Sequence, residues 1–207
     1  MQSKTARKQP KQARSKATVT AVLDATIRIF DREGPDAATT TRIAEVAGIS
    51  VGTLYQYFSH RDAILDALQD REFERVMDLM ERVLGAAGTK GPARAVAREA
   101  ILGLLALYAD APGLHRVLAL EGLRVASADR VHAFDMRVIA VVRNFLANSS
   151  LPIRRQNLDA ASFVVVQSVR ASLLARMLES PAGVDDATLA DELTDMILRY
   201  LVDDVAP

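Results

Sequence analysis

Apolar residues recur along this chain at the three- and four-residue spacing that lines one face of a helix. The first periodic segment runs from about Thr18 to Glu33, with Val22, Ala25 or Thr26, Ile29 and Phe30 on one face, and Gly34-Pro35 ends it. A short helix is predicted from a Thr39 cap through Ala47, closed by Gly48, and a third from a Ser50 cap through Phe58. Ser59, with Asp62 three residues on, reads as a capping box that opens a long helix, Arg61 to Leu84, whose ridge is Phe73, Met77, Met80 and Leu84. Beyond the break at Gly85 to Pro92, helices are predicted over Ala93 to Ala109, Leu114 to Leu123 and Ala128 to Asn148. Pro152 precedes two more, Asn157 to Glu179 and Asp186 to Val205, divided by the turn Ser180 to Val184. The class is all-α with about nine helices: a three-helix head containing a helix-turn-helix, joined through one long helix to a larger body. The predicted divisions are a disordered arm at 1–17, a head at 18–62 and a body at 63–207.

Composition narrows the picture. The 207 residues are 50% hydrophobic and 25% charged, which excludes a disordered or collagen-like chain and suits one sizeable core beside a small module. Absence of cysteine excludes a disulfide framework, a thiolate zinc site and a cysteine nucleophile. No run of about 18 uncharged apolar residues occurs, and Met1 to Thr20 is basic and polar. The expectation is a soluble, cytoplasmic protein with neither a membrane span nor a signal peptide. Net charge is zero but unevenly placed. Residues 1–18 carry six bases, Lys4, Arg7, Lys8, Lys11, Arg14 and Lys16, and no acid; residues 181–207 carry seven acids against Arg199 alone. That asymmetry suits a front end that faces a polyanion.

The segment Thr39 to Phe58 is the most informative. Ile43, Ala44 and Ala47 give its first helix an inner face with small residues for a close crossing, Gly48 permits a left-handed turn, and Val51, Leu54 and Phe58 give the second helix its inner face. Gly52, Thr53, Tyr55, Gln56 and Tyr57 are left pointing outward. Two phenols, an amide, a hydroxyl and bare backbone bond phosphate oxygens and base edges at close range, so this face fits the major groove of double-stranded DNA.

At these residues the chain resembles the TetR family of bacterial transcriptional regulators. Phe30 and Gly34, Thr39, Ile43-Ala44, Ala47-Gly48-Ile49-Ser50, Gly52-Thr53-Leu54-Tyr55 and Tyr57-Phe58 all stand at family spacing, and the likeness is close from about Ala21 to Leu65. The resemblance implies that Thr39, Tyr55, Tyr57 and Arg61 touch the DNA backbone while Val51, Gly52, Thr53 and Gln56 lie over the major groove. Pro35 stands where the family commonly has an aromatic, His60 where it has a serine cap, and Arg61 where it has lysine.

The resemblance further implies a homodimer on a palindromic operator and an effector pocket in the body. From Ala100 onward the helix Ala93 to Ala109 is apolar all round and therefore internal. Gly103 within it costs about 1 kcal/mol relative to alanine, which either a close helix crossing or space for a ligand would explain. Candidate pocket walls are Leu104, Leu107, Leu118, Phe134, Val138, Val141 and Phe163, with Tyr108 and His115 as polar anchors for a small apolar or amphipathic effector. The last two helices are the expected dimer interface: Ser168, Ala171, Ser172 and Ala175 form a small-residue stripe beside Phe163, Val166, Val169 and Leu173, and Leu189, Leu193, Met196, Ile197, Tyr200 and Leu201 follow. Periodicity leaves open which faces meet a partner and which form the monomer's own core.

Catalysis is not expected. A di-iron bundle needs two Glu-x-x-His pairs, whereas Asp129-x-x-His132 occurs once, and the three histidines are far apart in sequence. There is no Gly-rich phosphate loop or Gly-x-Ser-x-Gly elbow. No cofactor and no metal are expected. The reading is a ligand-responsive repressor; the alternatives are an architectural DNA-binding protein without ligand control and a helical-bundle enzyme.

Overall fold

A computed structural model describes residues 9–87, 92–121, 128–179 and 181–202, and within them the chain is helical with no β-strand. In order the helices are α1 (Gln9–Arg32), α2 (Thr40–Ala47), α3 (Val51–Tyr55), α4 (Arg61–Ala87), α5 (Ala93–Asp110), α6 (Pro112–Glu121), α7 (Ala128–Asn148), α8 (Leu158–Glu179) and α9 (Asp186–Leu201), with one 3-10 turn at Pro35–Ala37. An isolated bridge pairs Ile153 with Val202. The expected arm is helical from Gln9 on, because Lys, Gln, Ala and Arg propagate a helix that the packed residues further along α1 have already nucleated. Residues 1–8 of that arm, 122 and 123, Ser180, and 203–205 of the expected last helix lie outside the described residues.

The described residues of Met1–Arg71 form one compact unit with Gly113–Leu118, and those of Glu72–Pro112 and Ala119–Pro207 form the other. The head thus reaches past the expected boundary at 62. Ile64 and Leu68 on α4 are fully buried and Leu65 nearly so; they belong with Val22, Ile29, Ile43 and Leu54 to the head's core. Asp31 Oδ1 accepts from the Gly113 N–H at 2.8 Å, satisfying a donor at the start of α6 that no helical carbonyl can reach.

In the body, α5 runs against α9 and α7 against α8. Arg98 Nε donates to Asp191 Oδ1 and Arg94 to Asp195, two ion pairs along the α5–α9 seam. The Gly103 question is answered by packing: a Cβ there would stand 2.8 Å from Leu79 Cδ1, so the glycine lets α4 approach α5. The start of α4 differs from expectation. His60, not Ser59, is the cap, its Nδ1 accepting from the Ala63 N–H at 3.1 Å, since the chain turns helical one residue later than a Ser59 cap requires.

Among the described residues α8 alone is long and apolar enough to cross a membrane, a feature the search for an uncharged run passed over because Arg170 interrupts it. Its buried face is Ala161, Ser162, Val165, Val169 and Leu173. Phe163, Val164 and Leu178 stay exposed, Phe163 at 53% of its full area.

Candidate nucleic-acid interface and body cavity

The helix-turn-helix is held by side chains that satisfy its own helix ends. Thr39 Oγ1 accepts from the Arg42 N–H at 3.2 Å and caps α2. Gly48, at φ 71°, adopts the left-handed conformation that ends α2 with its N–H returned to the Ala44 and Glu45 carbonyls. Ser50 Oγ then accepts from the Thr53 N–H at 3.0 Å and pairs with Thr53 Oγ1 at 2.8 Å, opening α3. Across the turn, the Arg42 guanidinium bonds both Glu33 carboxylate oxygens, at 2.9 and 3.1 Å, and Glu45 Oε2 at 2.9 Å. These bonds hold the Glu33 carboxyl below the usual range and raise the Arg42 guanidinium.

Burial sorts the recognition segment into two faces. Leu54 is fully buried and Phe58 nearly so, whereas Tyr55 and Tyr57 are 51% and 37% exposed despite their size. Gly52 and Gln56 are exposed, Val51 and Thr53 half-buried. Helix α3 is shorter than the expected run through Phe58. It closes at Tyr55, where tight returns from Gln56 to the Thr53 carbonyl and from Tyr57 to the Leu54 carbonyl turn the chain. The Tyr55 hydroxyl lies 3.2 Å from Thr40 Oγ1, tying this face to the start of α2.

Arg61 departs from the expected role. Its Nε donates to the Ala38 carbonyl and its Nη2 to the Pro35 carbonyl, both at 3.1 Å, so the guanidinium is committed to the turn before α2 instead of to an outside anion. The turn needs those donors because its carbonyls have no helical partner.

The body encloses a cavity of about 150 Å³. Leu104, Tyr108, Phe134 and Val138 line it. Leu107, Val141 and Phe163 do not: the first two sit at the core's edge, off the phase of the lining residues on their helices, and Phe163 turns outward. His115 and Leu118 belong to the head's unit, carried there with Gly113. The polar residues on the wall are Tyr108, Asp135 and Arg170. Asp135, 8% exposed, accepts on Oδ2 from Arg170 Nη1 at 2.5 Å and from Gln167 Nε2 at 3.1 Å. Burial pushes the Tyr108 phenol up, with Arg170 opposing and Asp135 adding to the shift. Sequence reasoning missed Asp135 and Arg170, although each stands in phase with apolar lining residues, Asp135 with Val138 and Val142, Arg170 with Val166 and Leu173. Among the described residues no cluster of three acidic or histidine side chains is placed to hold a metal.

Two family models match. "Bacterial regulatory proteins, tetR family" covers residues 22–68, and "Tetracyclin repressor-like, C-terminal domain" covers residues 92–201. The chain is similar to the HTH-type transcriptional repressor KstR of Mycolicibacterium smegmatis, 40% identical over 68 residues, and the match spans 33% of each chain. It is also similar to the nucleoid occlusion factor SlmA of Haemophilus ducreyi, 30% identical over 110 residues, 52% of each chain. The matched stretch thus spans about a third of that repressor and about half of the occlusion factor. A transcriptional regulator from Cytophaga hutchinsonii shares the fold at a TM-score of 0.71 and 16% identity, over 90% of this chain and 100% of that one. The fatty acid degradation regulator FadR from Bacillus halodurans does so at 0.66 and 14%, over 86% and 97%. With both the head and more than half of its length matched, the chain belongs to the TetR family of bacterial regulatory proteins.

Proposed function

We propose that this protein is a cytoplasmic, homodimeric transcriptional repressor that binds a palindromic DNA operator through α2 and α3 and releases it when a small apolar or amphipathic effector enters the body cavity. The observation that carries the reading is the split in the recognition segment: Leu54 and Phe58 are buried while the phenols and the Gln56 amide beside them face solvent. Large amphipathic side chains left exposed next to a capped helix-turn-helix are suited to phosphates and base edges. The similar repressors support this reading.

A dimer follows from geometry, since one helix-turn-helix reads few base pairs and two heads must meet successive major grooves about 34 Å apart. The exposed apolar face of α8 is our choice for the contact. A second copy suits it better than lipid, because Arg170 and Arg176 interrupt the helix. A DNA-organising role without ligand control, the second reading, draws on the likeness to SlmA; the enclosed cavity favours the first.

Selection from a randomised duplex library tests the proposal. The wild type should enrich an inverted repeat, Tyr57→Phe should bind every sequence more weakly without changing the preference, and Gln56→Ala should relax the preferred base at one position in each half-site. Absence of any enriched sequence would select the architectural reading.

A further inference from the structure

The shape of the body cavity and the charge on its wall define the molecule it fits. On α5 the lining recurs from Ala93 through Val96, Ala100 and Leu104 to Tyr108, about 22 Å of helix at 1.5 Å per residue. On α7 it runs from Phe134 to Leu146, about 18 Å. A volume of about 150 Å³ spread along roughly 18 Å leaves a mean cross-section of about 8 Å², room for a single file of carbon atoms and too little for fused rings.

The two ends differ. One is made by Leu146, Leu151, Leu201 and Val202, with no polar side chain; the other holds Tyr108, Asp135 and Arg170. At that end the Asp135 carboxylate and the Arg170 guanidinium cancel, so the wall carries no net charge for a ligand to neutralise. Both donors to Asp135 use Oδ2, and among the described residues none donates to Oδ1. A charged head group entering here would leave one charge uncompensated beside an apolar wall, while a neutral hydroxyl would find an acceptor already in place.

We propose that the cavity takes an unbranched aliphatic molecule ending in a neutral hydroxyl-type donor, with the donor on Asp135 Oδ1 and the chain directed toward Leu201. This rests on reading the cavity as the effector site. It adds the chemical class of the effector, a straight chain with an uncharged hydrogen-bonding head.

Calorimetry on the full chain at neutral pH with octan-1-ol, octanoate, octylamine and cyclooctanol tests it. Octan-1-ol should bind at least tenfold more tightly than each of the other three, and from butan-1-ol to octan-1-ol affinity should rise about fourfold per methylene. Asp135→Asn leaves Arg170 without its counter-charge, so octanoate should then overtake octan-1-ol, with helical circular dichroism confirming the fold. The wild-type alcohol series gives a result even if that variant does not fold. Tighter binding of octanoate or octylamine to the wild type overturns the neutral head; equal binding of cyclooctanol overturns the straight chain; no alcohol binding overturns both. Octan-1-ol that binds but leaves affinity for the selected duplex unchanged refutes the effector reading and upholds the ligand class. Release of the duplex by another class of compound, with no alcohol binding, does the reverse.

Discussion

Arg61 shows how one side chain's partners decide its role. Its guanidinium donates to the Ala38 and Pro35 carbonyls, and a charge spent on the protein's own backbone is poorly placed to displace counterions from DNA. Arg61→Ala should therefore leave the slope of log affinity against log salt unchanged while lowering stability to denaturant by about 1–2 kcal/mol, the cost of leaving two carbonyls without donors. A slope shallower by about 0.9 would instead show a phosphate contact. Sequence spacing brought Arg61 to the right neighbourhood but is silent on which acceptors lie within reach. The cap has the same history: Ser59 and His60 both can accept from a helical N–H, and only the path of the chain selects His60. Asp135 and Arg170 were passed over for another reason. Charged residues are read as solvated by default, and the cue that overrides the default is their phase with apolar residues on both helices.

At the scale of the element, α8 has two apolar faces and one monomer to bury them in. Val165, Val169 and Leu173 go to the monomer's core, whereas Phe163, Ala171 and Leu178 face out. Met196 is the exposed apolar residue of α9, whose Leu193, Ile197 and Leu201 are already internal. We expect Ala171→Arg with Leu178→Arg to weaken dimerisation at least 100-fold, since unpaired cations buried in an interface cost roughly 3 kcal/mol or more. Helical circular dichroism should be unchanged, because neither site belongs to the core. Light scattering that still finds a dimer would move the interface elsewhere. Periodicity could not make this division: it reports that a face is apolar, not whether the cover comes from the same chain. The same limit explains why Leu104 and Tyr108 line the cavity while Leu107, one residue from Tyr108, does not. Element bounds were legible where local chemistry sets them, as at Ala128–Asn148 for α7. They were not where a neighbouring element decides, as in α1, extended back to Gln9, and α3, closed at Tyr55.

For the whole molecule, the two units share one strand of helical backbone. Between Arg61 and Leu84, α4 contains neither proline nor glycine. Its early turns place Ile64, Leu65 and Leu68 in the head's core, and its later turns place Val76, Met77, Met80 and Val83 in the body's. Heat cannot release one core alone without cutting this ladder and stranding unsatisfied N–H and C=O groups at two new helix ends. Scanning calorimetry should accordingly record one transition, with calorimetric and van't Hoff enthalpies in agreement once dimer dissociation is allowed for. Asp70→Pro, which breaks the ladder near the division between the units at a cost of about 3 kcal/mol, should split that transition in two. Two well-separated transitions in the wild type would show that the helix does not join them. A continuous α4 makes thermal resistance a joint property: a lesion confined to the DNA-facing unit lowers the temperature at which the other unit melts as well.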